Sequence, residues 1–322
     1  MYDIAQQVKE WLAAGREVEV ATVVAARGLS SRRPAPAAAW AAGEAAIGEL
    51  VAGVVPENLE RGLVEIAISD ADARAAGLAC GGSASVLVQP ASAYPAQVWE
   101  QLLARDPLCL VTAVSGGDLG ATDVFTPASI RESYAFGDEV SRLFGRGVTS
   151  AVVLERAVAI ALWPIPTLVV MGDGLIADAL RNTAQLLGWD VQVTPEVQAA
   201  VAAVRGLKRS DAVVVLSHDR SGDGPTLAAA LAGPAGYVGA LGSRHTQIAR
   251  LEWLTEHGVP AEAQARIHGP AGLDIGAHTP AEIAVSIVAE IIANRATASG
   301  GALRARRGPV HEAGVQSPPP RY

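Results

Sequence analysis

The chain has 322 residues, half of them apolar and 4% aromatic, with a formal charge of −8 at pH 7. That length favours two domains over one, and the cores must be built from Ala, Val, Leu and Ile rather than from rings. Unclustered Lys and Arg on an acidic chain exclude a nucleic-acid footprint and an anionic-membrane partner, and no apolar run of about 18 residues marks a membrane span.

The N-terminus MYDIAQQVKEWLAAG carries acids and lacks a signal-peptide layout, which points to the cytoplasm. Its apolar residues Ile4, Val8, Trp11 and Leu12 share one helical face over 3–14. VEVATVVAA (18–26) reads as a strand, followed by the turn-rich loop RGLSSRRPAP (27–36). A hairpin around Gly43 leads to a strand near Ile47–Val51. Helices are expected at 56–67 and 72–78, and a strand at 83–89. A helix at 97–104, a strand at 108–114, a short helix near 137–144 and a hairpin of 148–154 with 157–162 close a small β-rich unit.

From Pro164 the pattern becomes strand–helix alternation. Strands are expected at 167–172, 189–194, 211–218, 235–242 and 266–268. Helices are expected at 175–187, 196–204, 226–232, 246–257 and 280–294. Such alternation implies a parallel sheet with right-handed crossovers. The fold class is therefore α/β. A small mixed α/β, β-rich domain (1–163) precedes a Rossmann-like doubly wound parallel-sheet domain (164–298). The proline-ended stretch 299–322 reads as a disordered tail.

Gly172-Asp173-Gly174-Leu175-Ile176-Ala177 follows a strand and opens a helix, where glycines let backbone amides approach a phosphate; the alternative is a tight turn with no ligand. An NAD(P) cofactor is disfavoured. Thr194 stands where a ribose-binding acid belongs, and Asp173 sets a negative charge inside the turn. His218 and Asp219 end the third strand at the ligand edge, with helix capping by Asp219 as the plain alternative. Gly242-Ser243-Arg244 ends the fourth strand; Ser243 can cap the next helix and Arg244 can fork onto an anion or stay solvated. His268 ends the last strand and leads into a glycine-rich loop containing Asp274. Thr279-Pro280-Ala281-Glu282 is a capping box.

The only cysteines are Cys80 and Cys109. They form no disulfide framework, and a reducing cytosol is the simplest setting, with a single Cys80–Cys109 bridge as the alternative. Cys80-Gly81-Gly82 could place a thiol beside an anion-binding nest of amides, a soft metal ligand, or could be a packed structural thiol. Ser30 and Arg32 offer a hydroxyl and a cation in the first loop.

Together VVMGDGLIADAL, VLSHD, YVGALGSRHT, ARIHGPAGLDIGAHTPAEIAVSIVAEIIANR, EVATVVAARGLSSRRP and ARAAGLACGG resemble the XdhC/CoxI family of xanthine dehydrogenase accessory proteins across most of 1–296. The resemblance implies a maturation factor, a cofactor chaperone rather than a catalyst. Such a factor binds molybdenum cofactor (molybdopterin), protects it while a cysteine desulfurase supplies sulfur, and delivers it to a molybdenum hydroxylase of the xanthine or carbon monoxide dehydrogenase type. A homodimer is one option. The implied contacts are Cys80 to the metal, with Gly81, Gly82, Ser30, Arg32, Gly172, Gly174, His218, Asp219, Gly242, Ser243, Arg244, His268 and Asp274 around the cofactor. This member is divergent. Gly28-Leu29-Ser30-Ser31-Arg32 replaces G-S-S-P-R, Val54 stands at a family cysteine, Gly172-Asp173-Gly174-Leu175 replaces G-A-G-H, and Thr194 replaces an acid. Cys80 is left as the family-type thiol. The other readings are an NAD(P)-dependent oxidoreductase and a degenerate interaction protein.

Overall fold

The computed structural model describes residues 1–28, 35–44, 46–48, 50, 59–76, 80–130, 137–216 and 220–305. The chain divides into two compact units between Pro164 and Ile165. The first is β-rich and the second is built on a parallel sheet.

The first unit opens with helix α1 (Ala5–Ala13), which buries Ala5, Val8 and Trp11. Strands β1 (Val18–Arg27), β2 (Ala37–Ala41), β3 (Ile47–Gly48) and β4 (Gly62–Ile68) follow, then helix α2 (Asp70–Ala75) and strand β5 (Gly82–Pro90). These strands form an antiparallel sheet in the order β3-β2-β1-β5-β4. Helix α3 (Gln97–Leu103), β6 (Leu108–Ala113), β7 (Thr122–Phe125), helix α4 (Gly137–Gly145), β8 (Ser150–Val153) and β9 (Ala157–Leu162) complete the unit. They give a second antiparallel sheet, β7-β6-β9-β8. Val20, Leu87, Leu110 and Ile160 from the two sheets share one core with Ile4 and Trp99. Alternate residues Ala21, Val23 and Val86 face a separate cluster with Ile68 and Ala73, as the two-residue period of a strand requires.

Two expectations fail here. In the helix expected over 56–67, residues 62–67 lie instead in strand β4: Gly62 has φ +119°, and the following residues alternate in burial up to buried Ile68. Residues 56–58 lie outside the described residues. Strand β7 was not anticipated. It pairs with β6, and Thr122 meets Thr112 at 2.9 Å and Gln89 at 3.2 Å. Both cysteines are free thiols, so no Cys80–Cys109 bridge forms.

The second unit alternates strand and helix, with two helices between its last two strands: β10 (Thr167–Met171), α5 (Gly174–Leu186), β11 (Asp190–Thr194), α6 (Val197–Arg205), β12 (Ala212–Val215), α7 (Arg220–Ala232), β13 (Tyr237–Ala240), α8 (Arg244–Glu256), α9 (Ala261–Gln264), β14 (Ile267–His268) and α10 (Pro280–Arg295). The sheet is parallel, in the order β11-β10-β12-β13-β14. The doubly wound, Rossmann-like class is what the alternation predicts. Leu168 and Val170 face one core with residues of α5 and α10; Val169 and Met171 face the other with residues of α6, α7 and α8. The strand order reverses between β10 and β12, the switch point at which such sheets open a crevice. Helix α7 begins six residues before the expected 226 and takes Pro225 inside it. Beyond α10, Leu303–Ala305 forms a short 3-10 turn, and 306–322 lies outside the described residues.

Candidate functional site

In a parallel sheet all strands end on one edge, so the turns after β10, β13 and β14 and the end of β12 share it. Met171 closes β10. Gly172 then takes φ +132°, its amide donating to the Thr194 carbonyl at 2.9 Å. A Cβ on Gly172 would stand 3.0 Å from the Leu216 side chain. Gly174, the first residue of α5, has φ +83°, and among the described residues outside its own helix and its chain neighbours no heavy atom comes within 4 Å of where its Cβ would stand. Asp173 is the N-cap, but its side chain makes no capping hydrogen bond. Among the described residues nothing packs over the Cβ position of Gly174 in the first turn of α5. At the end of β11 the Thr194 hydroxyl accepts from the Glu196 amide at 3.1 Å.

The turn after β13 is set by Gly242 (φ +125°) and by Ser243, which caps α8 by accepting from the Thr246 amide. Arg244 is exposed, as is Asp274. His268 is half-buried on β14, stacked on Tyr237 with ring centroids 4.5 Å apart. At about 4.8 Å between strands, His268 is three strands and about 14 Å from the end of β10. It shares the edge with Gly174 without standing beside it. His218 and Asp219, with Ser30 and Arg32, lie outside the described residues.

Three side chains that organise this edge were not anticipated. Glu290 on α10 accepts from the Tyr237 hydroxyl at 2.5 Å and the Gly272 amide at 2.7 Å, and lies 3.1 Å from His268 Nδ1. Burial pushes the Glu290 carboxyl up, but the hydrogen bonds from Tyr237, Gly272 and His268 outweigh it and hold the group below its ordinary range. Burial, then the bond to Glu290, raises the Tyr237 phenol well above its ordinary value. Arg250 pairs with Asp223 at 2.7 Å, both side chains 1% exposed, and donates to the Leu241 carbonyl at 2.6 Å. Gln247 donates to the Ala240 carbonyl at 3.1 Å. The loop after His268 is drawn across the end of β13 by the Ala271 amide, which donates to Ala240, and onto α10 by Ser286, which donates to Leu273. The sequence signal for Glu290 was a lone charge among apolar neighbours on a helix; Arg250, with Glu252 two residues on, carried no such signal.

In the first unit Cys80 is exposed and its thiol donates to the Gly28 carbonyl at 2.9 Å. The nest expected beside it is already spent. The Gly81 amide donates to Asp70 at 2.8 Å, and Gly82 pairs with Ile68 in the sheet. Both glycines serve backbone packing: a Cβ on Gly81 would meet the Ile68 carbonyl oxygen at 2.4 Å, and one on Gly82 would meet that of Arg27 at 2.0 Å. Cys109 is buried, and burial pushes its thiol up to about 12. Among the described residues no three His, Cys, Asp or Glu side chains group to hold a metal, and no helix is long and apolar enough to cross a membrane.

Residues 168–291 match the XdhC Rossmann domain family. The chain is 34% identical over 170 residues to the uncharacterized protein YqeB of Escherichia coli, covering 47% of this chain and 31% of that protein. It is 32% identical over 132 residues to the molybdenum cofactor insertion chaperone PaoD of the same organism, covering 41% of each chain. The matches thus span less than half of these curated relatives. A crystal structure described as a xanthine dehydrogenase from Bacillus halodurans aligns over 94% of this chain and 96% of its own, with a TM-score of 0.45 and 18% identity.

Proposed function

From the premise that residues 168–291 are an XdhC Rossmann domain, we propose that the chain is a maturation factor that binds molybdenum cofactor and assists its insertion into a molybdenum hydroxylase. Sulfuration of the cargo with a cysteine desulfurase as partner, and work in the cytoplasm, belong to the same reading. So does the division into a domain over 1–163 and a Rossmann domain over 164–298.

The observation that carries it is the open glycine turn at the switch point. The cargo is an anion with a phosphate at one end and a soft, sulfur-ligated molybdenum at the other. Positive-φ Gly174 leaves space clear of the described residues at the start of α5, where helix amides favour a phosphate. In the first unit, taken by itself, Cys80 is an exposed thiol, a ligand type suited to a soft metal. These residue types fit the cargo. The exposed Asp173 carboxylate at the turn opposes it. An NAD(P) reading is less favoured, because Thr194 occupies the position of the ribose-binding acid.

The test is retention. The full chain is incubated with molybdenum cofactor and desalted, and bound molybdenum and pterin are measured. Wild type should retain cofactor, and Cys80→Ser and Gly174→Ala should each retain several-fold less. Failure of wild type to retain any would overturn the proposal. Equal retention by wild type and Cys80→Ser would return Cys80 to a structural thiol.

A further inference from the structure

Strands β13 and β14 pair Gly239 with His268. Tyr237 lies on the same face of β13 as Gly239, by the two-residue period of a strand. A Cβ on Gly239 would stand 2.6 Å from the Tyr237 ring, so the missing side chain is what lets that ring lie over Gly239 and reach His268. The two rings stack with centroids 4.5 Å apart and planes 28° apart, which fixes the plane of the imidazole. Its Nδ1 meets Glu290 Oε1, while Oε2 accepts from the Tyr237 hydroxyl and the Gly272 amide. Despite its burial, the Glu290 carboxyl is held below its ordinary range and is therefore ionised at neutral pH. A carboxylate has only lone pairs to offer, so Nδ1 carries the hydrogen, and in the neutral ring Nε2 is left as a lone pair. The His268 side chain is 30% exposed, and its Nε2 makes no hydrogen bond among the described residues.

We propose that Glu290 is a positioning residue: by fixing His268 as the Nδ1–H tautomer, it makes Nε2 an acceptor that reads an N–H donor on the heterocyclic end of a bound ligand. This rests on the maturation-factor reading, in which the ligand is molybdenum cofactor and the N–H groups are those of its pterin. A latch for the loop after β14 is complete without the imidazole, because Tyr237 and Gly272 already tie β13 and that loop to α10. What His268 adds is a lone pair of fixed direction. Charge decides which end of the ligand it meets. The Glu290 carboxylate backs the ring and exposed Asp274 follows in the same loop, so a phosphate is disfavoured here; the amides at the start of α5 suit that end instead. Tyr237 packs in the core that α5 and α10 share, so His268 and the start of α5 are on one face of the sheet, about 14 Å apart along its edge. That separation suits a fused-ring heterocycle with a phosphate arm.

The test reads the tautomer and the retention together. The full chain with isotope-labelled histidine is followed by two-bond proton–nitrogen correlation spectra in alkaline buffer, with free pterin and inorganic phosphate as separate probes; the signal absent from His268→Phe identifies His268. Wild type should carry its hydrogen on Nδ1, pterin should move the Nε2 resonance, and phosphate should not. Glu290→Gln, whose amide can itself donate to Nδ1, should move the hydrogen to Nε2 and abolish the response to pterin. Retention of molybdenum cofactor per folded molecule should fall several-fold in Glu290→Gln and in His268→Phe, and no further in the double variant, because Glu290 acts through His268. His268→Phe keeps a ring on Tyr237 and the other two bonds to Glu290, so its loss cannot be put down to lost fold. Hydrogen on Nε2 in wild type, an Nε2 resonance unmoved by pterin, or losses that add in the double variant would each overturn the proposal. Full retention by His268→Phe would overturn it and leave the maturation reading standing, whereas no retention by wild type would overturn both.

Discussion

The Cys80 thiol donates to the carbonyl of Gly28 at 2.9 Å, across 52 residues of sequence, while its side chain stays exposed. Cys109 is its opposite: buried, with its thiol pushed up to about 12 by that burial. Thiol reactivity follows thiolate fraction and access. A maleimide at neutral pH should therefore add one label per native chain, at Cys80. Mass spectrometry should find none on Cys80→Ser and one on Cys109→Ser. Two labels on the folded wild type would show that the β6 core admits the reagent.

Glu290 ties three elements together, and its carboxyl is held below its ordinary value. A carboxylate with a depressed folded pKa contributes stability that is present above its unfolded value and is lost as pH falls through the folded one. Wild type should thus exceed Glu290→Gln in stability at neutral pH, by about 1.5–3 kcal/mol for hydrogen bonds to a charged group. The gap should begin to close below about pH 4.3 and shrink further with acid. Urea melts of both proteins across that window check it. A gap that widens below about pH 4.3 would mean that the carboxylate is destabilising.

Asp223 and Arg250 are 1% exposed and 2.7 Å apart. Removing either partner leaves a buried charge, a change that costs about 3–5 kcal/mol. Asp223→Asn and Arg250→Met should each destabilise the chain by that order, and the double variant by clearly less than their sum. Denaturant melts of the four proteins form the cycle. Additive losses would mean that the two side chains do not act as a pair.

The parallel sheet was legible because each of its strands is a short apolar run between helical segments, and ends such as Thr167–Met171 and Pro280–Arg295 fall within a residue or two of the expected ones. Strand β4 was lost to a coincidence of spacing. Leu59, Leu63 and Ile66 mimic a helical face, while Val64, Ile66 and Ile68 carry the two-residue period that prevails. The early start of α7 was not legible, because Asp223 lies in its first turn and is buried against Arg250, a contact 27 residues away. At the edge, the glycine turns and the Ser243 cap could be read from local chemistry. The Tyr237–Glu290–His268 cluster could not, since it joins β13, α10 and β14 through residues far apart in sequence.

Gly82 and Gly174 separate packing from function. A Cβ on Gly82 would stand 2.0 Å from the Arg27 carbonyl oxygen, backbone against backbone, so alanine there must push β1 and β5 apart. The loss should lie at or above the upper end of the overpacking range of about 1–3 kcal/mol. At Gly174 alanine meets no atom of the described residues within 4 Å beyond its own helix and chain neighbours and suffers the positive φ of +83°, a penalty of about 1–2 kcal/mol for an L residue. Gly82→Ala should therefore show the larger drop in melting temperature, and Gly174→Ala a smaller one. Retention of molybdenum cofactor per folded molecule should order them the other way, because the methyl group added by Gly174→Ala projects into the space at the start of α5. Melting curves and retention are measured on the same preparations. If Gly174→Ala retains cofactor as wild type does, the glycine turn is only a tight connection between β10 and α5.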